Sequence, residues 1–225
     1  MNMNGMHVVA QERAGGLSKC RAGDKWEVRC MSANADYSMT IEFAGEDSSS
    51  GRGSYVLRVS FGPGAAGRPE NMVVHIDWDT LFPMRIQTLC AHTGIPVTVV
   101  TTYDDQFPGA APYPLNPGKE FEVIQTETTT YSVDGEIPVE TETMTSTLIC
   151  RVEATEEVTV PAGTFTCVRV TKYDQDGTAL GTSWKSDEVG HAVDVRYLDY
   201  QTDEVCELVS YPDSTLGSDS PSFIC

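Results

Sequence analysis

The strongest constraint on this chain is the reversal at Pro161-Ala162-Gly163, set between two runs that alternate with period two. Val158 and Val160 alternate with Glu157 and Thr159 on one side of it. Phe165 and Cys167 alternate with Thr164 and Thr166 on the other. Period two sends successive side chains to opposite faces, so both runs predict strands. Pro161 sets φ for the first turn position, and Gly163 can take a positive φ with no Cβ to clash. The stretch predicts a hairpin closed by a three-residue loop.

The same grammar repeats along the chain. "VTKYDQ" turns at Asp176-Gly177 into "TALGTSW", and Gly190 closes another turn after Trp184. "HAVDVRYLDY" predicts a strand with His191, Val193, Val195 and Tyr197 on one face, followed by "EVCELVSY". Upstream, Asp134-Gly135 joins "EFEVIQTETTTYSV" to "EIPVETETMTSTLICRV", a strong hairpin signal. Thr and Val richness favours strands throughout. In the first half, "DKWEVRCMSANADYSMTIEF", "SYVLRVSF", "ENMVVHIDW" and "PVTVVTTYDD" read as strands. "DTLFPMRIQTLCAHTG" is ambiguous, since Pro83 could open a short helix or break one.

The expected fold is all-β: an antiparallel meander curved into an incomplete, half-open β-barrel with at most one or two short helices. Residues 1–20 read as a flexible N-terminal segment, 21–211 as a single half-barrel domain, and 212–225 as a flexible tail. The domain divides into two meanders, 21–105 and 118–211, joined by the proline-rich "QFPGAAPYPLNPG". Each meander opens alike. Gly23-Asp24-Lys25-Trp26-Glu27-Val28 echoes Gly118-Lys119-Glu120-Phe121-Glu122-Val123.

Asp and Glu number 33 against 15 Lys and Arg, for a formal net charge of -18. Such a surface repels phosphate backbones, so no nucleic-acid partner is expected. No run approaches the roughly 20 apolar residues of a membrane-spanning helix, so no transmembrane segment is expected. "LSKC" at 17–20 resembles a lipoprotein cleavage site, but Lys19 stands where a small residue is wanted and no apolar stretch precedes it. The seven cysteines include no C-x-x-C pair, which excludes zinc-finger and thioredoxin readings. Their number favours an oxidising compartment, and hence a cell-envelope or secreted protein whose leader has been removed. A cytoplasmic location is the alternative. Cys20 with Cys30, and Cys150 with Cys167, are candidate disulfide partners.

"VTVPAGTFTCVRV", Trp184, "SDEVGHAVDVRY" and "CELVSY", with "YPLNPGKEFEV" at 113–123, resemble a pattern in uncharacterised bacterial envelope β-barrel proteins. These are similar in turn to the lipoprotein-carrier superfamily (LolA- and LolB-like). The resemblance covers roughly residues 110–211 and implies an incomplete barrel curled about an apolar cavity. The chain departs from the carriers in lacking clear long helices to plug that barrel.

If a curled sheet leaves its concave face unfilled, a ligand can fill it. The aromatic residues Trp26, Trp78, Phe121, Phe165, Trp184 and Tyr197 fall within strand-like runs and are the candidate ligand-binding set. The leading expectation is non-enzymatic binding of an apolar small molecule, a lipid or a lipoprotein segment. An envelope structural or interaction domain with a self-filled core is the alternative. A metal-dependent hydrolase is the third reading, because His75 and Asp77 in "VVHIDW" would project from one strand face. The Asp-rich "DQDG" at 174–177 lacks the alternating donors of a calcium loop and is explained by a turn. No G-x-S-x-G or P-loop motif occurs, and the glycines of "GPGAAG" at 62–67 open no legible helix and read as a loop, so no catalytic residue and no cofactor is predicted.

Overall fold

The computed structural model of the chain describes residues 20–49, 51–65, 68–69, 71–92, 95–109, 112–133, 137–190 and 192–212. Twelve strands follow in order: β1 Lys25–Met31, β2 Asp36–Asp47, β3 Ser54–Phe61, β4 Asn71–Asp77, β5 Pro83–His92 and β6 Ile95–Gln106 make the first half. The second half comprises β7 Glu120–Val133, β8 Ile137–Val160, β9 Gly163–Tyr173, β10 Ala179–Lys185, β11 Arg196–Asp199 and β12 Glu204–Ser210. No helix occurs among the described residues, and the ambiguous segment around Pro83 is strand β5. The expected flexible segments, 1–20 and 212–225, lie outside the described residues except for Cys20 and Pro212.

Each strand pairs antiparallel with its chain neighbours, and β12 returns to pair with β1, so the barrel is closed. The half-open expectation is corrected here. Turn signals specify which neighbours pair, but not whether the first strand meets the last. Closure satisfies the backbone groups that two open edges would expose. The seam is covalent: Cys30 and Cys206 stand opposite in register and form a disulfide across 176 residues of chain. This corrects both expected bridges, because Cys20, Cys150 and Cys167 are free thiols. Cys150 stands opposite Lys172 and Cys167 opposite Glu156, so the two never face each other.

Two apolar clusters fill the molecule. The larger joins Trp26, Val28, Phe43, Tyr55, Leu57 and Phe165 with residues from most of the barrel wall. The smaller consists of Phe121, Val123, Cys150, Val152 and Val170. A further strand was expected over 191–200, but β11 spans only Arg196–Asp199; His191 lies outside the described residues. The irregular chain before β11 does other work. Val189, Val193 and Val195 are buried in the larger cluster, and Trp26 Nε1 donates to the Val189 carbonyl at 3.2 Å. The barrel is therefore plugged in part by its own connector. That answers the need for a helix, since an interior this wide must be filled.

The reversal at Pro161-Ala162-Gly163 is a hairpin, one residue tighter than expected. Val160 stands opposite Gly163, leaving Pro161 and Ala162 as the connection, and Gly163 has φ 141°. The Ala162 N–H donates to the Leu208 carbonyl at 3.1 Å, fastening the hairpin tip to β12. The internal echo is a shared construction. Gly23 N–H donates to the Phe43 carbonyl at 2.8 Å, and Phe43 N–H donates back to Asp24 at 2.9 Å. Gly118 N–H donates to the Val152 carbonyl at 2.8 Å, and Val152 N–H donates back to Lys119 at 2.8 Å. Both glycines have positive φ, 98° and 84°. The aromatic three residues on, Trp26 or Phe121, is buried in each case.

Because strands alternate in direction, β1 begins and β12 ends at one rim, the first. The β4–β5, β6–β7 and β10–β11 connectors gather at that rim too. At the second rim β5 to β8 outrun their neighbours. β4 pairs β5 only as far as Thr88, and β9 pairs β8 only from Ile149. The remainder forms a four-stranded wing of Thr88–His92, Ile95–Thr101, Thr126–Val133 and Ile137–Leu148, held by its own ladders.

Candidate ligand cavity

The connectors of the first rim close over the strands to leave a cavity of about 230 Å³. Its wall comes from inward positions of β7 to β11: Phe121, Cys150, Val170, Lys172, Ser183 and Tyr197. Its cover comes from Leu81 and Phe82 in the β4–β5 turn and from Tyr113 and Leu115 in the proline-rich connector. Asp77 shapes that turn by accepting at Oδ1 from the backbone N–H groups of Asp79 and Thr80, both at 2.9 Å. Lys119 pins the connector by donating from Nζ to the carbonyls of Pro112 at 2.9 Å and Pro114 at 3.2 Å. Phe82 meets Phe107 and Phe121 edge-on at 5.4 and 6.4 Å, which joins cover to wall.

The charged groups are unequally engaged. Lys185 Nζ donates to Asp194 Oδ1 at 2.6 Å, and the Ser183 hydroxyl donates to Oδ2 of the same carboxylate at 3.1 Å. Lys172 has no such partner: its Nζ lies 5.6 Å from the Phe82 ring centroid. Among the described residues no carboxylate is within ion-pair distance of it. Burial pushes the Cys150 thiol up to about 11, with Lys172 and Lys185 pulling weakly the other way, so it is protonated at neutral pH. Burial also raises the Tyr113 hydroxyl, helped by Asp194 and Asp187, and raises Tyr197 to about 12. The cavity thus presents apolar walls, neutral hydroxyls and the Lys172 ammonium, which the Asp105 carboxylate meets only at longer range than an ion pair.

The sequence-derived aromatic set divides. Phe121 and Tyr197 line this cavity. Trp26 and Phe165 are buried in the larger cluster, and Trp78 and Trp184 pack against it. Trp184 Nε1 donates to Glu156 at 2.7 Å. His75 and Asp77 do leave β4 on the face opposite the buried Val74 and Ile76, but they serve different ends. His75 Nδ1 lies 3.3 Å from Ser54 Oγ and 3.7 Å from Asp47, whereas Asp77 Oδ2 accepts from Arg52 at 2.7 Å. Among the described residues the one cluster of three metal-ligating side chains is Cys30, Glu204 and Cys206, whose sulfurs are bonded to each other. At 174–177 the Asp174 carboxylate accepts from the N–H groups of Asp176 and Thr178, at 3.0 and 2.8 Å, as a turn residue does. Among the described residues no helix is long and apolar enough to cross a membrane.

Lys172, Lys185, Ser183 and Asp194 were not anticipated. One signal was available: the alternation Val168, Val170, Lys172 sets a cation on a face that otherwise reads as apolar. Ser183 and Lys185 are placed by the β9–β10 register, and Asp194 is brought to them by the irregular connector before β11.

No protein-family model matches the chain, and no curated protein matches it. Among solved structures it is similar to a protein of Bacteroides fragilis NCTC 9343 with a YmcC-like fold, itself inferred to be exported. The two share 15% identity over 85% of this chain and 96% of the other, with a TM-score of 0.42. The fold assignment therefore rests on the strand pairing described above.

Proposed function

We propose that the chain is a non-enzymatic binding module of the cell envelope or an exported protein, and that it takes a small amphipathic anion into the first-rim cavity. The observation that carries this reading is Lys172, an ammonium on an apolar wall with no carboxylate within ion-pair distance among the described residues. A carboxylate beside Lys172 would form a charge-assisted hydrogen bond, and an acyl body would bury against Phe82, Leu115 and Val170 at about 0.8 kcal/mol per methylene. The volume sets the size. Set against a cavity of about 150 Å³, which takes a benzene ring, one of about 230 Å³ has room for roughly nine or ten non-hydrogen atoms. That favours a short acyl chain over a whole lipid or a lipoprotein segment. The Cys30–Cys206 bond fits an oxidising compartment. A protonated Cys150 supports binding over nucleophilic catalysis.

Calorimetric titration with octanoate and with octanol tests the reading. Octanoate is expected to bind more tightly, and Lys172→Met to weaken octanoate by about 2 kcal/mol, roughly thirtyfold in Kd, while sparing octanol. Equal octanoate affinity in the variant, or no binding of either probe by the native protein, overturns it.

A further inference from the structure

The wing at the second rim has an edge that no part of the described chain covers. From Ile137 to Leu148, β8 pairs with β7 on one side only, and β9 joins its other side first at Ile149. Sheet edges are ordinarily kept short, bent by a bulge or covered, because their unpaired N–H and C=O groups template another strand. This edge is long, and from Glu140 to Leu148 its register with β7 runs without a shift. Its outward side chains are exposed, including Val139 at 66% and Met144 at 62%.

The charge along the edge selects an occupant. Between Arg85 and Arg151 the sequence holds nine Asp and Glu and one basic residue, Lys119. Lys119 is committed to the connector at the other rim. Glu140 and Glu142 therefore stand on one face of the edge with no cationic partner among the described residues, and Glu127 is two strand positions away on β7. On the other face Thr141, Thr143 and Thr145 stand opposite Thr130, Thr128 and Thr126, with hydroxyl pairs at 3.4, 3.3 and 3.2 Å. A strand added here meets carboxylates on one side and threonines on the other.

We infer that the free edge of β8 is a β-augmentation site for an extended, basic segment of a partner protein, with Lys or Arg at alternate positions and β-branched residues between them. Main-chain hydrogen bonds to the 140–148 edge supply affinity, and Glu140 with Glu142 supplies selection. A second copy of this chain is disfavoured as occupant, since each carries a net charge of -18.

The probe is a capped peptide of about nine residues alternating lysine and threonine, a length matched to the edge. Three comparisons accompany it: the same peptide N-methylated at alternate amides, a glutamate–threonine peptide, and the Glu140→Lys/Glu142→Lys protein. The lysine peptide is expected to bind and to slow hydrogen exchange of amides within 140–148. N-methylation and the double substitution are each expected to weaken it by at least about tenfold, and the substituted protein is expected to gain affinity for the glutamate peptide. Equal binding of the N-methylated peptide would reduce the effect to charge attraction and overturn the inference. So would protection confined to other strands, or a peptide-independent dimer that protects the same amides.

Discussion

Single residues in this barrel carry environments that solution measurements can read. Burial, and after it the Arg85 guanidinium, holds the His75 imidazole below its ordinary value against the pull of Asp47. The unfolded chain then takes up the proton at a higher pH than the folded one. The stabilisation is whole above about pH 6.5 and is lost as pH falls from there through the folded value. His75→Gln should flatten that part of the stability curve, measured as urea midpoints at pH of about 7.5 and 5. An unchanged pH dependence would remove His75 as its source. Lys172 is a residue whose surroundings its neighbours in sequence do not reveal. A lysine continuing the Val168, Val170 alternation reads from sequence as the exposed end of a strand, because nothing local shows that a proline-rich connector will cover it.

At the scale of elements, what the sequence made legible was what neighbours determine. The period-two runs and the glycine turns gave the strands and their order, down to the shared opening of β1 and β7. The β1–β12 seam was not legible, since its partners are the most distant strands in the chain. The connector before β11 was misread for a related reason: the alternation of Val193 and Val195 mimics a strand, although the buried valines plug the barrel interior. Replacing both Cys30 and Cys206 with alanine should lower stability by about 2–5 kcal/mol, chiefly by freeing the unfolded chain. Reducing agent should lower the native protein to match the variant and leave the variant itself unmoved; a native protein indifferent to reduction would refute the seam's contribution.

For the molecule as a whole, charge and topology pull in opposite directions. Closure ties β1 to β12, while 33 acidic side chains against 15 basic ones repel within the compact state. Raising ionic strength from about 0.01 M to 0.15 M shortens the screening length from roughly 30 to 8 Å. The thermal midpoint should rise, by about 2–4 °C for each kcal/mol of repulsion removed. A fall, or no change, would show that local ion pairs outweigh the general field.

The parity of the meander has a consequence for orientation. An even number of alternating strands returns the polypeptide to the side from which it set out, so Cys20 and Pro212 both stand at the rim whose connectors cover the cavity. The uncovered margin of β8 lies at the opposite pole. A tether attached through either terminus would therefore hold that margin outward and keep the cavity on the anchored side.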